Sequence, residues 1–151
     1  MVKKETSRRL TDYLHDYWKL KKAKAAFPKF EDINIDDIDL EYRNDCFLIE
    51  IEPKVTLNIT KMIFLGKNLN TEFKQDKSGV HIKNLVVRFL ETPLDHYNKV
   101  IESKKPLIQN VEIPSKEDPN LMYRQILLPL GNAEKGDVRG ILGGMRYKKK
   151  N

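Results

Sequence analysis

The stretch from Leu121 to Tyr147, LMYRQILLPLGNAEKGDVRGILGGMRY, is the most strongly patterned part of the chain. Two apolar segments flank a connection, GNAEKG, whose residues tolerate turns. This arrangement is typical of a β-hairpin with a loop longer than two residues. The stretch contains no nucleophile, metal-ligand cluster or phosphate-binding loop, so it predicts architecture rather than chemistry.

Size and composition limit the class of protein. A chain of 151 residues with 40% apolar and 33% charged residues is globular, and one core can bury roughly 70% of its unfolded surface. The single cysteine, Cys46, excludes an intramolecular disulfide. Neither a signal-peptide pattern nor an apolar run of membrane-spanning length occurs. We therefore expect a soluble cytoplasmic protein of one domain, with no membrane span.

The net charge of +6 is unevenly distributed along the chain. Residues 1–30 contain nine Lys or Arg and three acids, whereas residues 31–52 contain nine acids and one Arg. The basic residues are scattered over several predicted elements, without the pattern of a recognition helix. We expect solvated charged faces and no specific nucleic-acid partner.

An amphipathic helix is predicted near the N-terminus. Its apolar residues recur at helical spacing: Leu10, Tyr13, Leu14, Tyr17 and Trp18. Thr6 or Ser7 can cap this helix and Pro28 stops it, which predicts a span of about 7–26. Three aromatic residues are more than a short helix needs to cover a sheet. The stripe is packed either in the chain's own core or in an interface with a dimer partner, and both alternatives stay open.

Acids alternate with aliphatic residues from Phe30 to Glu41, which raises the question of a calcium loop. A loop that starts at Asp32 fails, because its sixth residue is Asp37 instead of Gly and its twelfth is Arg43 instead of Glu. The better interpretation is a capped helical turn near residues 36–40 that leads into the first strand.

The remaining periodicity predicts an antiparallel sheet. Strands are expected over 46–51, 56–65 and 107–113 and in the C-terminal hairpin, and a helix is expected from Leu94 to the closing Lys104-Lys105-Pro106. Residues 68–92 fit either helix or strand. The order is a helix, two strands, a helical middle part and three strands, which is an α+β fold with a five-stranded antiparallel sheet.

Particular residues also resemble a known family. They are the aromatic helix segment DYWKL at 16–20, the segment DINIDDI at 32–38, FLIEI at 47–51, IFLG at 63–66, YNKVIESKKP at 97–106, and ILLPL at 126–130 with ILGG at 141–144. On these motifs the chain resembles a PAS domain, and more narrowly the single-domain bacterial PAS proteins with an N-terminal aromatic helix. The resemblance covers about residues 10–147. It departs from the family at Glu41-Tyr42, Lys67 and Lys74, where Leu-Pro, Thr and Gly are usual.

The resemblance implies a sensor or interaction module without chemistry of its own. It divides the chain into an N-terminal helix (1–30) that packs on the sheet or on a dimer partner, a PAS core (31–147) with helices on one sheet face, and a basic tail (148–151). It also implies a small apolar or metabolite ligand, a protein signalling partner and a homodimer. A pure interaction adaptor with a filled core is the alternative.

Catalysis is not expected, because no zinc spacing and no Gly-x-Ser-x-Gly motif occurs. Single residues or short segments suggest two cofactors that members of the PAS family bind. His96 lies where haem-binding members carry the axial histidine, so haem is an alternative to a surface histidine. The segment Asn44-Asp45-Cys46 echoes the flavin motif of light sensors, but it lacks the arginine and lies at a strand.

A ligand would be expected between the sheet and the middle helices. We predict that it contacts residues of the second strand, the later helix and the hairpin: Phe64, His96, Tyr97, Tyr123, Leu128, Gly143 and Met145. The alternation does not show which parity of the hairpin faces inward. Glycines at 140, 143 and 144 imply close approach by a helix, a bulge or a ligand.

Overall fold

The computed structural model describes residues 9–51, 61–69, 94–112 and 121–149. Its elements are α1 (Leu10–Lys22), 3-10 turns at Phe30–Asp32 and Ile35–Asp37, α2 (Leu40–Arg43), β1 (Cys46–Glu50), β2 (Lys61–Leu65), α3 (Leu94–Ser103), β3 (Leu107–Glu112), β4 (Leu121–Asn132) and β5 (Asp137–Lys149). The five strands pair antiparallel in the order β2-β1-β5-β4-β3. The α+β class and the five-stranded antiparallel sheet are therefore confirmed.

The first helix is shorter than the span of 7–26 that the sequence predicted. Arg9 is extended, so the helix begins at Leu10, and it ends at Lys22 because Ala23 has a φ of 50°. The ammonium group of Lys22 donates to the carbonyl oxygens of Ala23 and Ala25, both at 3.3 Å. These bonds satisfy carbonyl groups beyond the helix, which ends six residues before Pro28.

The C-terminal hairpin has the predicted long connection. The register shifts between Leu130 and Gly131, and the turn occupies residues 133–136. Gly131 has a φ of 155°, and a Cβ at this position would collide with the carbonyl oxygen of Asp137. Glycine is therefore required where the bulge brings the two strands together. β5 continues to Lys149, so the first two residues of the predicted basic tail belong to the sheet backbone.

Both faces of the sheet are covered. On the outer face, a Cβ at Gly144 would come within 2.6 Å of Leu14, and one at Gly140 within 2.7 Å of Phe30. α1 and the following segment therefore lie directly on the backbone of β5. On the inner face, the ring of Phe47 occupies the space over Gly143.

Burial on both faces explains why alternation could not orient the hairpin. Residues 125–131 and 140–145 are all buried, whatever their parity. The strand register shows which of these residues lie on the outer face and which lie on the inner face. Gly144 lies on the outer face and pairs with Ile126, whereas Gly143 lies on the inner face and pairs with Leu127. On β4, positions 126, 128 and 130 share the outer face, and positions 125 and 127 share the inner face.

The acidic segment packs beside α1. Its helical turn begins at Ile35, where the side-chain oxygen of Asn34 accepts a bond from the Asp36 N–H at 3.0 Å. The predicted turn near 36–40 is thus present as a 3-10 turn followed by α2. Other predictions lie outside the described residues: strand residues 56–60, the undecided stretch apart from 68–69, Ile113, and the loop 115–120.

Candidate ligand-binding site

α3 positions the inner-face residues. Tyr97, Val100 and Ile101 are buried, which confirms the apolar helical face that the sequence predicted. Tyr97 packs edge-on against Phe47, with the ring centroids 6.3 Å apart and an interplanar angle of 62°. Phe47 in turn covers Gly143. A continuous aromatic layer therefore lies between α3 and the middle of the sheet.

Two buried polar side chains on this face lack hydrogen-bond partners. Gln125 is 1% exposed and Tyr97 is fully buried. Within the described part of the chain, the Tyr97 hydroxyl and both amide atoms of Gln125 make no hydrogen bond. A buried polar group without a partner lowers the free energy of unfolding by about 1–3 kcal/mol. These three atoms therefore destabilise the fold locally.

The electrostatics of this region favour neutral groups. Burial raises the pKa of Tyr97 well above its ordinary value of 10.0. Its hydroxyl therefore keeps its proton at any physiological pH and can both donate and accept. The Gln125 amide supplies two donors and an acceptor without charge. The pair can recognise a neutral polar group within an otherwise apolar layer.

His96 and Gln109 form a second polar contact on the same face. The amide nitrogen of Gln109 lies 2.7 Å from both ring nitrogens of His96. Gln109 pairs with Gln125 on the neighbouring strand, so the three side chains belong to one region of the inner face. We call His96, Tyr97, Gln109 and Gln125 the inner-face polar cluster.

Haem fits this arrangement poorly. An axial histidine must direct one ring nitrogen at the iron, but the Gln109 amide covers the ring edge between both nitrogens of His96. Iron ligation would require that amide to move away. The region of His96 therefore resembles a hydrogen-bonded polar site more than an iron ligand.

Cys46 lies on the wrong face to serve an inner-face flavin. It belongs to β1 and pairs with Gly144, an outer-face position. Its thiol donates to the carbonyl oxygen of Tyr42 at 3.2 Å. Burial raises the pKa of this thiol far above its ordinary value, with the nearby Asp45 charge as a smaller cause. Such a thiol is a structural group without nucleophilic character.

The predicted ligand residues are divided between the two faces. His96, Tyr97, Gly143 and Met145 lie on the inner face or on the helix that covers it. Leu128 pairs with Leu142 and Phe64 pairs with Leu48, which places both on the outer face. Tyr123 pairs with Val111 on β3, and its side chain lies outside the described residues.

Sequence reasoning missed three inner-face residues. Gln125, Gln109 and Phe47 were not chosen, although Gln125 is a polar residue within an apolar hairpin strand. That contrast with its neighbours was the available signal. The role of Phe47 had no such signal, because an aromatic residue in a buried strand is ordinary.

The five predicted interface residues contact the chain's own fold. Leu10, Leu14 and Trp18 are buried, and the Trp18 indole nitrogen donates to the Pro129 carbonyl oxygen at 2.8 Å. Tyr13 stacks on Tyr42 with centroids 4.0 Å apart. Tyr17 donates to the Asn34 carbonyl oxygen at 3.2 Å and accepts from the Asn34 N–H at 3.1 Å. The stripe thus follows the core-packing alternative, and its role in a shared interface stays a prediction.

Surface cavities of about 420, 350 and 310 Å³ are lined by other residues. The 420 Å³ cavity lies at the end of α3, beside Lys99, Glu102 and Leu107. The other two border the hairpin loop and the end of α1. These cavities are open, whereas Tyr97 and Gln125 of the inner-face polar cluster are buried. Buried polar atoms without partners are unusual in a native protein, so Tyr97 and Gln125 mark the candidate site more specifically than an open concavity does.

The solved structures that resemble this chain include two of the same PAS domain. The PAS domain of histidine kinase ThkA has 15% sequence identity and a TM-score of 0.46, and the match covers 65% of this chain and 94% of that domain. A selenomethionine variant of that domain gives the same identity and TM-score, with coverage of 66% and 95%. No protein-family model and no curated protein matches the chain. Both of these neighbours are described as PAS domains.

The length and composition of the described helices show whether any of them could span a membrane. Within the ranges that the structure covers, no helix is both long and apolar enough to cross a bilayer.

Proposed function

We propose that the chain is a noncatalytic PAS sensory module of the cytoplasm that holds a small molecule on its inner face. The observation that supports this proposal is the pair of buried, unpartnered polar side chains, Tyr97 and Gln125. Native proteins rarely leave such groups without a partner in a finished core. A bound molecule that supplies the missing hydrogen bonds accounts for them.

The ligand should be small, largely apolar and neutral. Phe47, Leu127 and Ile141 give the inner face apolar surface, so most of the ligand's contacts would be with carbon atoms. The polar atoms of the cluster call for one group on the ligand that both donates and accepts a hydrogen bond. A charged ligand would lose its hydration without a counter-charge from the cluster.

Ligand binding on the inner face can affect the position of α1, because two neighbouring residues of β5 between them have no side chains. Gly143 and Gly144 are consecutive and face opposite sides, with Phe47 on one and Leu14 on the other. Because neither glycine has a side chain, both neighbours rest directly on the strand backbone. A ligand that shifts Phe47 would therefore shift the support of α1, from which a protein partner could sense the change.

Native mass spectrometry and thermal shifts across a metabolite panel test this proposal. We expect a retained mass or a stabilising compound for the wild type, and loss of that binding in Tyr97→Phe and Gln125→Leu. Leu128→Met is the matched control, because Leu128 is buried on β4 but faces the outer side. No retained ligand and no stabilisation, or unchanged binding in both inner-face variants, would contradict the proposal.

A pure interaction adaptor is the second candidate. It is favoured by the ring of Phe47, which already fills the space over Gly143. For an adaptor, Tyr97→Phe and Gln125→Leu should leave partner capture unchanged, and no compound should raise the unfolding temperature. The same two variants therefore separate the two functions.

A further inference from the structure

The turn that ends α1 holds an alanine in a conformation that normally belongs to glycine. Ala23 has a φ of 50° and a ψ of −115°, and the Ala25 N–H donates to the Lys22 carbonyl oxygen at 2.8 Å. These angles are close to those of the first central residue of a type II′ turn, where glycine, asparagine and aspartate dominate. An alanine with these angles is strained, because its Cβ crowds the backbone.

The local sequence favours a different structure at this point. Residues 21–26, KKAKAA, are all strong helix formers, and the first residue that opposes a helix is Pro28. They predict a helix that continues to about residue 26, whereas α1 ends at Lys22. Local preference and observed structure therefore disagree over residues 23–26, and contacts elsewhere in the fold must hold the strained turn in place.

The burial of Phe27 accounts for the break in the helix. Phe27 is 1% exposed, and the next residue, Pro28, accepts a bond from the Gly131 N–H of the hairpin bulge at 2.9 Å. Phe27 follows Trp18 by nine residues, which is about two and a half turns of an α-helix. An unbroken helix would carry Phe27 to the side opposite the buried Trp18, away from the sheet. A continuous helix and a buried Phe27 therefore exclude each other.

Lys22 also favours the broken helix. Its ammonium group donates to the carbonyl oxygens of Ala23 and Ala25, and it lies 5.9 Å from the centroid of the Trp18 ring. In a continuous helix the Ala23 carbonyl oxygen would instead face the N–H four residues later. The contacts of Lys22 thus belong to the broken form.

We propose that α1 has two states: the observed broken state, and an extended state in which the helix runs through Ala23 to Ala26 and Phe27 leaves the core. The burial of Phe27 and the bonds of Lys22 favour the broken state. Relief of the strain at Ala23 and the helix propensity of residues 23–26 favour the extended state. Because these contributions oppose each other, a change at either Ala23 or Phe27 should shift the balance.

The two states present different surfaces beside the hairpin loop. The 310 Å³ cavity is lined by residues from both sides of the break, including Lys22 and Phe27, and by Ala133 of the loop. Extension of α1 would move Phe27 away from the loop and remove this cavity. The strained turn is thus a conformational switch at the junction of α1 and the hairpin, and it does not depend on a ligand on the inner face.

Ala23→Gly tests the strain. Replacement of alanine by glycine usually lowers stability, but glycine adopts a positive φ without crowding, so this variant should raise the midpoint of thermal unfolding by about 2–4 °C. Ala26→Gly is the matched control, because Ala26 is exposed and is not among the described residues with a positive φ. The control should lower the midpoint slightly. A midpoint that falls in both variants would show that Ala23 is not strained and would overturn the proposal.

Amide hydrogen exchange, measured by NMR, tests the extended state. In the observed turn, the N–H groups of Lys24 and Ala26 make no backbone hydrogen bond within the described part of the chain. In the extended helix they would donate to the carbonyl oxygens of Leu20 and Lys22. Ala23→Val should therefore slow exchange at both amides severalfold, because a β-branched residue fits a positive φ even less well than alanine does.

Phe27→Ser shifts the same balance from the other side. Serine gains little from burial in the core, so the broken state loses its main support and exchange at Lys24 and Ala26 should slow again. A cooperative thermal transition identifies the variants that fold. Strain without a second state would lower the unfolding midpoint in both variants and leave exchange unchanged, and that result would overturn the proposal. Neither experiment measures ligand binding, so the sensor proposal keeps its own test.

Discussion

The two faces of the sheet treat buried polar groups differently. On the outer face, the buried Trp18 indole and Asp45 carboxylate have hydrogen-bond partners, and so do the partly exposed hydroxyls of Tyr13 and Tyr17. On the inner face, Tyr97 and Gln125 have none among the described residues. Complete pairing is what a chain needs for stability alone. The outer face is therefore the more completely paired of the two, and the unpaired groups of the inner face are what the proposed ligand would explain.

One outer-face atom departs from this contrast. The Nε of Arg124 is buried without a partner, although another nitrogen of the same guanidinium donates to Asn110 at 3.3 Å. Arg124 also pairs across the strands with Arg146, a like charge. Arg146 is held by Asp45 at 2.6 Å and lies over the Tyr42 ring at 5.2 Å. The exception is one atom of a group that is otherwise bonded, whereas the Gln125 amide is unpaired at both atoms.

Removal of apolar packing from the outer face should have the largest effect. Leu14 is fully buried and contacts the backbone at Gly144. Leu14→Ala should lower the free energy of unfolding by about 3 kcal/mol, because it removes buried carbon atoms and leaves a cavity. Urea unfolding measures this loss. The control is Leu20→Ala at low protein concentration, which should change stability by less than about 0.5 kcal/mol. Equal losses in the two variants would show that α1 is not held by its buried side.

Removal of one outer-face hydrogen bond should have a smaller cost. Trp18→Phe keeps an aromatic ring but deletes the donor to the Pro129 carbonyl oxygen. The unfolding free energy should fall by about 1–2 kcal/mol, because a buried acceptor loses its partner. Ligand binding should be unaffected, since Trp18 lies on the outer face. A neutral result would mean that the outer face does not depend on complete pairing.

Two tyrosine variants compare the faces directly, because they should change the free energy of unfolding in opposite directions. Tyr97→Phe removes an unpartnered hydroxyl and should stabilise the unliganded protein by about 1 kcal/mol. Tyr17→Phe removes a hydroxyl that bonds to Asn34 and should destabilise the protein by about 0.5–1 kcal/mol. Thermal unfolding of both variants, freed of ligand, gives the answer. Destabilisation by both changes would contradict the division between a paired and an unpaired face.

The success of sequence reasoning differed between the same two regions. The aromatic stripe of α1 and the apolar side of α3 were predictable because each shows a helical period of burial, and the hairpin was predictable from two apolar segments around a turn-rich connection. The orientation of β4 was not, since Ile126 and Leu127 are both buried on opposite faces. Leu128 was therefore assigned to the ligand and Gln125 was passed over. Which face a residue occupies depends on pairing between strands that lie far apart in the chain, and local alternation does not carry that information.

The smallest expected effect is alkaline destabilisation, and it arises on the outer face. Burial raises the pKa of the Cys46 thiol above its ordinary value of 9.0. Above that pH the unfolded chain releases a proton that the folded chain keeps, so stability is complete below pH 9 and falls as the pH rises. The loss from this thiol should be about 0.4 kcal/mol at pH 9 and should grow with pH. Urea unfolding of wild type and Cys46→Ala between about pH 7 and about pH 9.5 isolates it. The variant should show a shallower decline, whereas parallel curves would mean that the Cys46 thiol ionises as readily in the folded chain as in the unfolded one.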